Sequence, residues 1–227
     1  MTTTLITGAN KGLGFETARR LIALGHVVYL GARDQERGGA AAQQLGARFV
    51  PIDVTDDASV ASAAAWIEAQ GTGLDVLINN AGIAGDRVAP ADTTAEHMRR
   101  VYEANVFGIV RVTHVTLPLL RASKAGVIVN VSSGLGSCAA VTDPSRVEFT
   151  VGLLGYPSSK AAVTMLTVQY AKALPELRIN AVDPGTRRPI STRIGAPKPS
   201  SREPTPSCVL QRSEGTDRRA RFRTRAA

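Results

Sequence analysis

The sequence predicts an α/β fold in which a doubly wound parallel sheet carries helices on both faces. Six short apolar runs alternate with segments of helical periodicity between residues 3 and 182, and this alternation is typical of parallel strands joined by crossover helices. The fourth run, residues 74–78, is apolar at nearly every position, as a central parallel strand should be. The length of 227 residues is sufficient for one such domain.

Each element can be placed along the chain. Strands are expected at residues 3–7, 26–33, 48–54, 74–78, 127–131 and 178–182. Helices are expected at 15–24, 35–45, 58–70 and 156–174, with a further long helix that opens on a capping box at Thr93 and Glu96 and continues to about Leu120. Residues 138–154 are irregular, and we interpret them as a loop on the substrate side.

A glycine-rich loop, residues 7–14, joins the first strand to the first helix. Strand, glycine loop and helix in this order are the setting that a dinucleotide-binding motif requires. Glycines let the backbone approach a pyrophosphate closely, and the helix N-terminus offers free N–H groups and a positive dipole end. The alternative is a plain glycine turn. The sequence therefore predicts a Rossmann-like cofactor site with contacts from Gly8, Asn10, Lys11, Gly12, Leu13 and Gly14.

The end of the second strand indicates which cofactor is preferred. A fold selective for NAD usually carries an acidic residue there, which binds the ribose 2′-hydroxyl, whereas this strand ends in Arg33. A guanidinium suits a 2′-phosphate, and Lys11 supplies a second cation, so we predict NADP. Asp34 follows directly and could bind the ribose instead. Asp53, after the third strand, could bind the adenine ring or cap the next helix.

Polar residues follow the fourth and fifth strands. Residues 79–82, Asn-Asn-Ala-Gly, could line the cofactor cleft or stabilise a turn. Ser132 and Ser133 end the fifth strand, where a hydroxyl points into the usual ligand crevice of such a sheet. Asn105 lies among apolar residues of the long helix, so we expect it to be buried and to order water.

Tyr156 and Lys160 are four residues apart on the last predicted helix. Residues at this spacing lie on one helix face, so a phenol and an ammonium are expected side by side. A positive neighbour favours the phenolate and lowers the pKa of the phenol, which makes it a usable acid or base near neutral pH. The pair therefore predicts proton transfer.

The basic character of the chain is confined to its end. The formal net charge is +8, and residues 186–227 alone hold ten arginines and one lysine against three acidic residues. Residues 1–185, which we predict to be the dinucleotide-binding and catalytic domain, are therefore balanced in charge. The remaining residues, 186–227, are predicted to be a basic tail that cannot bury enough surface to fold. Only this tail offers an electrostatic reason to expect nucleic acid.

Targeting and redox features predict a cytoplasmic protein. No apolar run is long enough to span a membrane, and the N-terminus lacks the pattern of a signal peptide. Cys138 and Cys208 are far apart and match no metal or redox spacing, so we expect two reduced thiols and no metal site.

Taken together, these motifs resemble the classical short-chain dehydrogenase/reductase family, and within it the NADP(H)-dependent carbonyl-reductase-like members. The resemblance implies reduction of a ketone or aldehyde to an alcohol by NADPH, in a reversible reaction. It covers residues 3–185 and is carried by the glycine loop, Asp53-Val54, residues 79–82, Asn105, Ser133, Tyr156-x-x-x-Lys160 and the Asn-Ala-Val-x-Pro-Gly motif at 180–185.

The resemblance also implies a role for each site residue. Tyr156 would protonate the carbonyl oxygen, and Lys160 would lower the pKa of the phenol and bind the nicotinamide ribose. Ser133, rather than Ser132, would orient the substrate oxygen, and Asn105 would hold a water that relays protons to Lys160. The further cofactor contacts that it implies are Val54, Asn80, Ala81, Gly82, Pro184 and Gly185. Members of the family also form homo-oligomers.

The family pattern stops after Gly185. Pro189 stands where a threonine is expected, and neither a substrate lid nor a seventh strand is recognisable in residues 186–227. A change of reading frame near Gly185 would explain the abrupt shift in composition, and a genuine basic tail is the alternative. A chain without the lid could bind the cofactor with little or no catalysis, or bind nucleic acid through its tail, and its oligomerisation is in doubt.

Overall fold

The computed structural model describes residues 1–185, which form a doubly wound α/β fold around a six-stranded sheet in which all neighbouring strands are parallel. The strand order is β3-β2-β1-β4-β5-β6, so the direction of winding reverses between β1 and β4. Ligands of such sheets bind at this switch point, beyond the carboxyl ends of the strands. The predicted tail, residues 186–227, and the nucleic-acid partner suggested by it lie outside the described residues. The strands are β1 (Thr3–Ile6), β2 (Val27–Ala32), β3 (Arg48–Pro51), β4 (Val76–Asn79), β5 (Val127–Val131) and β6 (Arg178–Val182).

The helices alternate with the strands as predicted. Within residues 1–185, no helix has both the length and the apolar character that a membrane span requires. The helices are α1 (Gly12–Ala23), α2 (Gln35–Leu45), α3 (Asp57–Ala69), α4 (Ala95–Tyr102), α5 (Gly108–Ala122), α6 (Cys138–Val141) and α7 (Gly155–Ala173).

The strand bounds agree closely with the sequence prediction, because the short apolar runs are the buried segments of the sheet. β5 and β6 have the predicted bounds. β3 ends at Pro51 rather than at residue 54, since the N–H of Ile52 makes the last bond to β2, at Ala32. The chain then turns into the Asp56 cap of α3.

Two apolar cores lie on opposite faces of the sheet. One packs the sheet against α3, α5 and the end of α7, with Ile67, Val112 and Leu174 among its buried residues. The other packs it against α1 and α2, through Ala18 and Ala41. Burial on both faces explains why the central strands are continuous apolar runs.

The long helix is interrupted and begins one residue later than predicted. α4 and α5 are joined by a π-helical segment, Glu103–Phe107. The predicted capping box at Thr93 and Glu96 is wrong: Thr94 is the N-cap, and His97 is its partner. The hydroxyl of Thr93 instead donates to the carbonyl of Ala89 at 2.9 Å, so it is not available to the helix.

Candidate active site

The glycine loop follows β1 and packs directly on the chain that follows β4. Gly8 has a left-handed φ of 63°, and a Cβ there would lie 2.8 Å from the Cα of Ala81. A Cβ on Gly14 would lie 2.5 Å from the side-chain nitrogen of Asn80 and 2.8 Å from the Cα of Ala9. Both positions therefore require glycine.

Asn80 and Ala81 hold this loop in place. The Thr7 hydroxyl accepts hydrogen bonds from the backbone N–H groups of Asn80 and Ala81, at 3.1 and 3.0 Å. The side-chain amide of Asn80 donates to the carbonyls of Thr7 and Gly8, at 2.8 and 3.0 Å. Of the two readings of this motif, the geometry favours the stabilised turn for Asn80. Thr7 shares this role, and its only sign in the sequence is a hydroxyl before the first glycine.

The start of α1 is built differently from the starts of α2 and α3. Asp34 and Asp56 cap those two helices by accepting backbone N–H groups, and each helix has an acidic residue in its first turn. α1 follows Lys11 with no side-chain cap and no acidic residue in its first turn. Uncapped N–H groups and the positive end of the helix dipole suit a phosphate, so this end fits a dinucleotide.

The other predicted loop residues lie around this helix end. Asn10 and Leu13 are half-buried, whereas Lys11 and Gly12 are exposed. Gly12 has a left-handed φ of 60°, and no heavy atom lies within 4 Å of the position that its Cβ would occupy. The loop therefore presents backbone and one lysine toward solvent.

Asp34 and Arg33, which follow β2, have different surroundings. The Asp34 carboxylate accepts the N–H of Arg37 at 2.9 Å and pairs with the Arg37 guanidinium at 3.5 Å, so it serves as the cap of α2. Arg33 is exposed. Partial burial disfavours the charged form of Asp53, but hydrogen bonds from Thr55 and the charge of Arg33 outweigh it and hold the pKa of Asp53 below its ordinary value. A cation therefore stands beside Asp53 at the predicted adenosine end.

Val54 has a packing role. Its side chain is buried, and a Cβ on Gly108 would come within 2.9 Å of it. Its carbonyl oxygen accepts from Arg111 at 3.4 Å, and the Arg111 guanidinium also pairs with Asp57 and with Glu103 of the π-helical segment. Val54, which was predicted to contact the cofactor, is therefore linked through Arg111 to the π-helical segment that carries Asn105.

Tyr156 and Lys160 lie side by side on α7, as predicted. The Lys160 ammonium is 5.5 Å from the centre of the Tyr156 ring. Ser133 follows the carboxyl end of β5 and lies close enough to Tyr156 to lower the pKa of its phenol. Ser132 points the other way: it is buried, donates to the carbonyl of Lys160 at 3.1 Å and contacts Thr164. The geometry therefore favours Ser133 over Ser132 as the hydroxyl that faces the substrate.

The pKa of Tyr156 moves in the direction opposite to the one that the sequence suggested. Burial raises the pKa of Tyr156, the hydrogen bond with Ser133 lowers it, and the negative charge of Asp183 raises it further. The Lys160 ammonium is itself buried and donates to the carbonyl of Val131 at 2.7 Å. Burial lowers the pKa of Lys160 from 10.5 to about 8.

Asn105 is completely buried in the π-helical segment. Its side-chain oxygen accepts the N–H of Ile83 at 2.8 Å, and its side-chain nitrogen donates to the carbonyl of Ile83 at 2.9 Å and to the hydroxyl of Ser159 at 3.0 Å. A Cβ on Gly82 would lie 3.0 Å from the Asn105 oxygen and 3.8 Å from the Lys160 nitrogen. Asn105, Gly82 and Lys160 are therefore neighbours, and the water relay stays a prediction.

Two clefts border the Tyr156–Ser133 pair. The loop on their substrate side contains α6 and a short 3₁₀ turn at Val147–Thr150, where the sequence predicted irregular chain. Pro184 and Gly185 are exposed at the end of the described chain, and the N–H of Gly185 donates to Asp183 at 2.9 Å. One cleft is lined by Ala84, Asp86, Val88, Thr93, His97, Val101, Leu153, Leu154, Gly155 and Tyr156. The other is lined by Ser133, Gly134, Leu135, Val147, Glu148, Val151, Asp183 and Gly185.

A fold and a site of this kind define a class of protein. A family profile described as short chain dehydrogenase matches residues 2–200, and this match extends past Gly185. The chain belongs to the short-chain dehydrogenase family and is an oxidoreductase.

The relatives include reductases and dehydrogenases of fungi and animals. The short-chain dehydrogenase anuI of Penicillium roqueforti is 40% identical over 190 residues, which cover 78% of this chain and 75% of that protein. Carbonyl reductase [NADPH] 1 of Bos taurus is 35% identical over 242 aligned positions, which cover 86% of this chain and 84% of that protein.

Solved structures with the same fold contain either type of nicotinamide cofactor. An alcohol dehydrogenase from Thermococcus sibiricus, complexed with 5-hydroxy-NADP, has a TM-score of 0.70 and 26% identity and covers 82% of this chain and 76% of its own. A 3-ketoacyl-(acyl-carrier-protein) reductase from Brucella melitensis, complexed with NADH, has a TM-score of 0.73 and 26% identity and covers 81% of this chain and 75% of its own. The fold alone therefore does not choose between the two cofactors.

Proposed function

We propose that this chain is an NADP(H)-dependent oxidoreductase that reduces a ketone or an aldehyde to an alcohol, with Tyr156 as the acid. The observation that carries the proposal is the Lys160 ammonium 5.5 Å from the centre of the Tyr156 ring, with Ser133 near the same phenol. These groups lie where the carboxyl ends of the strands converge, on the same edge of the sheet as the uncapped start of α1. Proton-donating groups and a phosphate-binding loop at one edge suit carbonyl reduction.

The residues of the glycine loop would hold the pyrophosphate, and Arg33 would bind the 2′-phosphate with help from Lys11. Asp34 caps α2, so its carboxylate is engaged away from a ribose, and this supports NADP over NAD. When bound, the nicotinamide supplies the hydride, and the protein's own groups handle position and protons. Carbonyl reductase [NADPH] 1 of Bos taurus, a relative whose name includes NADPH, lends further support.

Tyr156 is suited to act as an acid. Because burial and Asp183 raise the pKa of its phenol, the hydroxyl is protonated at neutral pH and can donate to a carbonyl oxygen. The Ser133 hydroxyl can bind the same oxygen and orient it between the two groups. As the oxygen takes up the proton, the developing phenolate would be stabilised by the ammonium of Lys160. The reverse reaction uses the same groups with the proton moving the other way.

The proposal can be tested with the full chain and two tyrosine variants on the same helix. NADPH consumption is measured against a panel of small ketones and aldehydes for the wild type, for Tyr156→Phe and for Tyr170→Phe. Tyr170 is a half-buried tyrosine near the far end of α7, packed against the core, so it is a matched control. We expect Tyr156→Phe to lower kcat by about 100-fold to 10,000-fold, which is the usual contribution of general acid catalysis, and Tyr170→Phe to leave kcat unchanged.

The same assay separates the alternatives. Equal rates for the wild type and Tyr156→Phe would remove Tyr156 as the acid. If the wild type binds NADPH, as shown by a change in nucleotide fluorescence, but consumes none with any carbonyl, the cofactor-binding alternative is favoured. Repeating the panel with NADH tests the predicted preference for NADP.

A further inference from the structure

Ser159 is a completely buried hydroxyl in the turn between Tyr156 and Lys160. It donates to the carbonyl of Tyr156 at 2.7 Å and accepts from the side-chain nitrogen of Asn105 at 3.0 Å. The first bond lies within the helix, as serine hydroxyls often bond the preceding turn. The second bond joins α7 to the π-helical segment, 54 residues earlier in the chain. Ser159 therefore connects the turn that carries the proposed acid to a separate element.

The bond to Ser159 completes the hydrogen bonding of the Asn105 amide nitrogen. That nitrogen has two hydrogens: one is donated to the carbonyl of Ile83 and the other to Ser159. The amide oxygen accepts the N–H of Ile83. The amide is thus held from both sides, by the loop after β4 and by α7.

The orientation of this amide determines what lies beside the Lys160 ammonium. Both groups border Gly82, where a Cβ would lie 3.0 Å from the Asn105 oxygen and 3.8 Å from the Lys160 nitrogen. The negative end of the amide dipole therefore lies on the Gly82 side that the ammonium also borders. An amide that turned would present N–H groups there instead, which disfavours a nearby positive charge.

We infer that Ser159 is a positioning residue for the proposed reaction: through its bond to Asn105 it holds the Tyr156–Lys160 turn and the Asn105 amide in one arrangement. This inference rests on the proposed function. Ser159 has no contact with substrate in this role and acts through its two neighbours. Losing a fixed geometry of about 1 Å at a reacting group can lower a rate by about 100-fold, so a hydroxyl that maintains it has a measurable effect.

The adjacent Ser158 provides a matched control. Its hydroxyl also bonds the preceding turn of α7, at the carbonyls of Leu154 (2.6 Å) and Gly155 (3.2 Å), but no bond from another element to this hydroxyl is present among the described residues. Ser158→Ala and Ser159→Ala therefore each remove a hydroxyl that bonds the preceding turn of the helix, and only Ser159→Ala also removes the bond from Asn105. We expect Ser159→Ala to lower kcat by about 10-fold at unchanged KM for NADPH, and Ser158→Ala to leave both unchanged.

A double-variant cycle distinguishes positioning from a general loss of structure. If Ser159 acts through Asn105, Ser159→Ala should have little further effect on kcat in an Asn105→Ala background, whereas independent effects would multiply. Thermal unfolding and NADPH fluorescence of each variant establish that it is folded and binds the cofactor. If Ser159→Ala does not fold, Ser159→Cys, which keeps a weak donor and acceptor in a similar volume, is compared with Ser158→Cys in the same cycle.

The outcomes separate the inference from the proposed function. An active wild type with equal kcat in Ser158→Ala and Ser159→Ala overturns the positioning role and leaves the proposed function standing. Multiplicative losses in the Asn105→Ala background overturn it as well. A wild type that turns over no carbonyl overturns the proposed function, and the positioning role with it.

Discussion

The two ends of the proposed cleft are constructed in different ways. At the cofactor end, backbone packs on backbone: Gly8 and Gly14 leave no room for a Cβ. At the catalytic end, the arrangement depends on side chains, among them the Asn105–Ser159 bond and the Lys160–Val131 bond. A cofactor with a constant phosphate skeleton is compatible with a rigid backbone cradle, whereas proton transfer requires groups whose pKa values depend on their surroundings.

The strands that lead to the two ends, β1 and β5, also differ in how they are packed. All residues of β1 are buried, while β5 alternates between buried and half-buried positions. On its buried face, β5 carries a polar residue: Asn130 accepts from Asn79 at 2.9 Å and donates to Thr167 of α7 at 2.9 Å. All three side chains are buried. The catalytic end is therefore tied to the sheet by paired polar groups in addition to apolar packing, and such groups tolerate loss of a partner poorly.

The largest effect on stability is expected at Gly8. Gly8→Ala places a Cβ at a left-handed φ of 63° and 2.8 Å from the Cα of Ala81, where only backbone could move. We expect a loss of about 3 kcal/mol in the free energy of unfolding and a parallel loss of NADPH affinity, measured by urea denaturation and nucleotide fluorescence. Gly39→Ala is the control: no atom lies within 4 Å of its Cβ position, and helix propensity predicts a gain of about 0.5–1 kcal/mol. Similar effects in the two variants would show that the loop is not sterically closed.

At Lys160, in contrast, we expect a substitution to increase the free energy of unfolding. A depression of its pKa from 10.5 to about 8 by burial corresponds to about 3 kcal/mol against the charged form, and Lys160→Met removes this cost together with one hydrogen bond worth about 1 kcal/mol. The variant should therefore be more stable than the wild type by about 2 kcal/mol at pH 7 in the absence of cofactor, and inactive. Lys172→Met, at an exposed position of the same helix, should change stability little.

The difference in stability between Lys160→Met and the wild type should become smaller as the pH rises above 8. Below pH 8 both the folded and the unfolded chain hold the Lys160 proton, and the burial cost is fully present. Between pH 8 and 10.5 the folded chain loses the proton while the unfolded chain keeps it, so the wild type gains stability with rising pH and approaches Lys160→Met. This prediction is checked by urea denaturation of both proteins between pH 8 and 10.5. If their free energies of unfolding differ by a constant amount over this range, Lys160 is not buried in solution.

The difference between local sequence patterns and contacts of distant residues explains which features could be predicted from the sequence alone. Strand, glycine loop and helix are local patterns, so β1 and α1 were predicted correctly. The steric need for glycine at Gly8 and Gly14 was not predicted, because it comes from Ala81 and Asn80 after β4. The spacing of Tyr156 and Lys160 is also local, and their neighbourhood is confirmed. The predicted lowering of the Tyr156 pKa was wrong, because burial raises this pKa and the burial of a side chain depends on the whole fold.

Contacts between distant residues were the part that the sequence could not reveal. In the sequence Ser159 resembles any other helix serine, and its bond to Asn105 joins α7 to a π-helical segment 54 residues earlier in the chain. The role of Thr7 likewise depends on the return of the chain after β4. The capping box was displaced by one residue because two threonines stand side by side, and the chain before them decides which one caps.

A smaller effect is expected at the cofactor end from Arg33. Arg33→Ser removes the guanidinium proposed for the 2′-phosphate and leaves Lys11, so we expect the ratio of NADPH to NADH affinity to fall by about 10-fold, the equivalent of one charge-assisted contact. Fluorescence titration with both nucleotides measures it. Arg99→Ser, on the exposed face of α4 and paired with Glu96, should leave the ratio unchanged. An unaltered ratio in Arg33→Ser would remove the structural argument for NADP.

The smallest effect is expected from Asp183, and it tests the catalytic end. Its negative charge raises the pKa of Tyr156, and it faces Glu148 across Gly134, where Arg146 pairs with Glu148 at 3.1 Å. Asp183→Asn keeps an oxygen for the N–H of Gly185 but removes the charge, so the pKa of Tyr156 falls. Because carbonyl reduction uses the protonated phenol, the alkaline limb of kcat/KM should move to lower pH.

Glu176→Gln is the control for this shift. Glu176 is an exposed carboxylate just beyond the far end of α7, paired with Arg121 at 2.9 Å, so removing its charge lowers the net negative charge equally without reaching Tyr156. The pH profile of Glu176→Gln should overlay that of the wild type. A shift to higher pH in Asp183→Asn, or the same shift in both variants, would mean that the alkaline limb does not report the phenol. A shift confined to Asp183→Asn would show that the surrounding charges, and not only the helical spacing of Tyr156 and Lys160, set the acid strength at this end of the cleft.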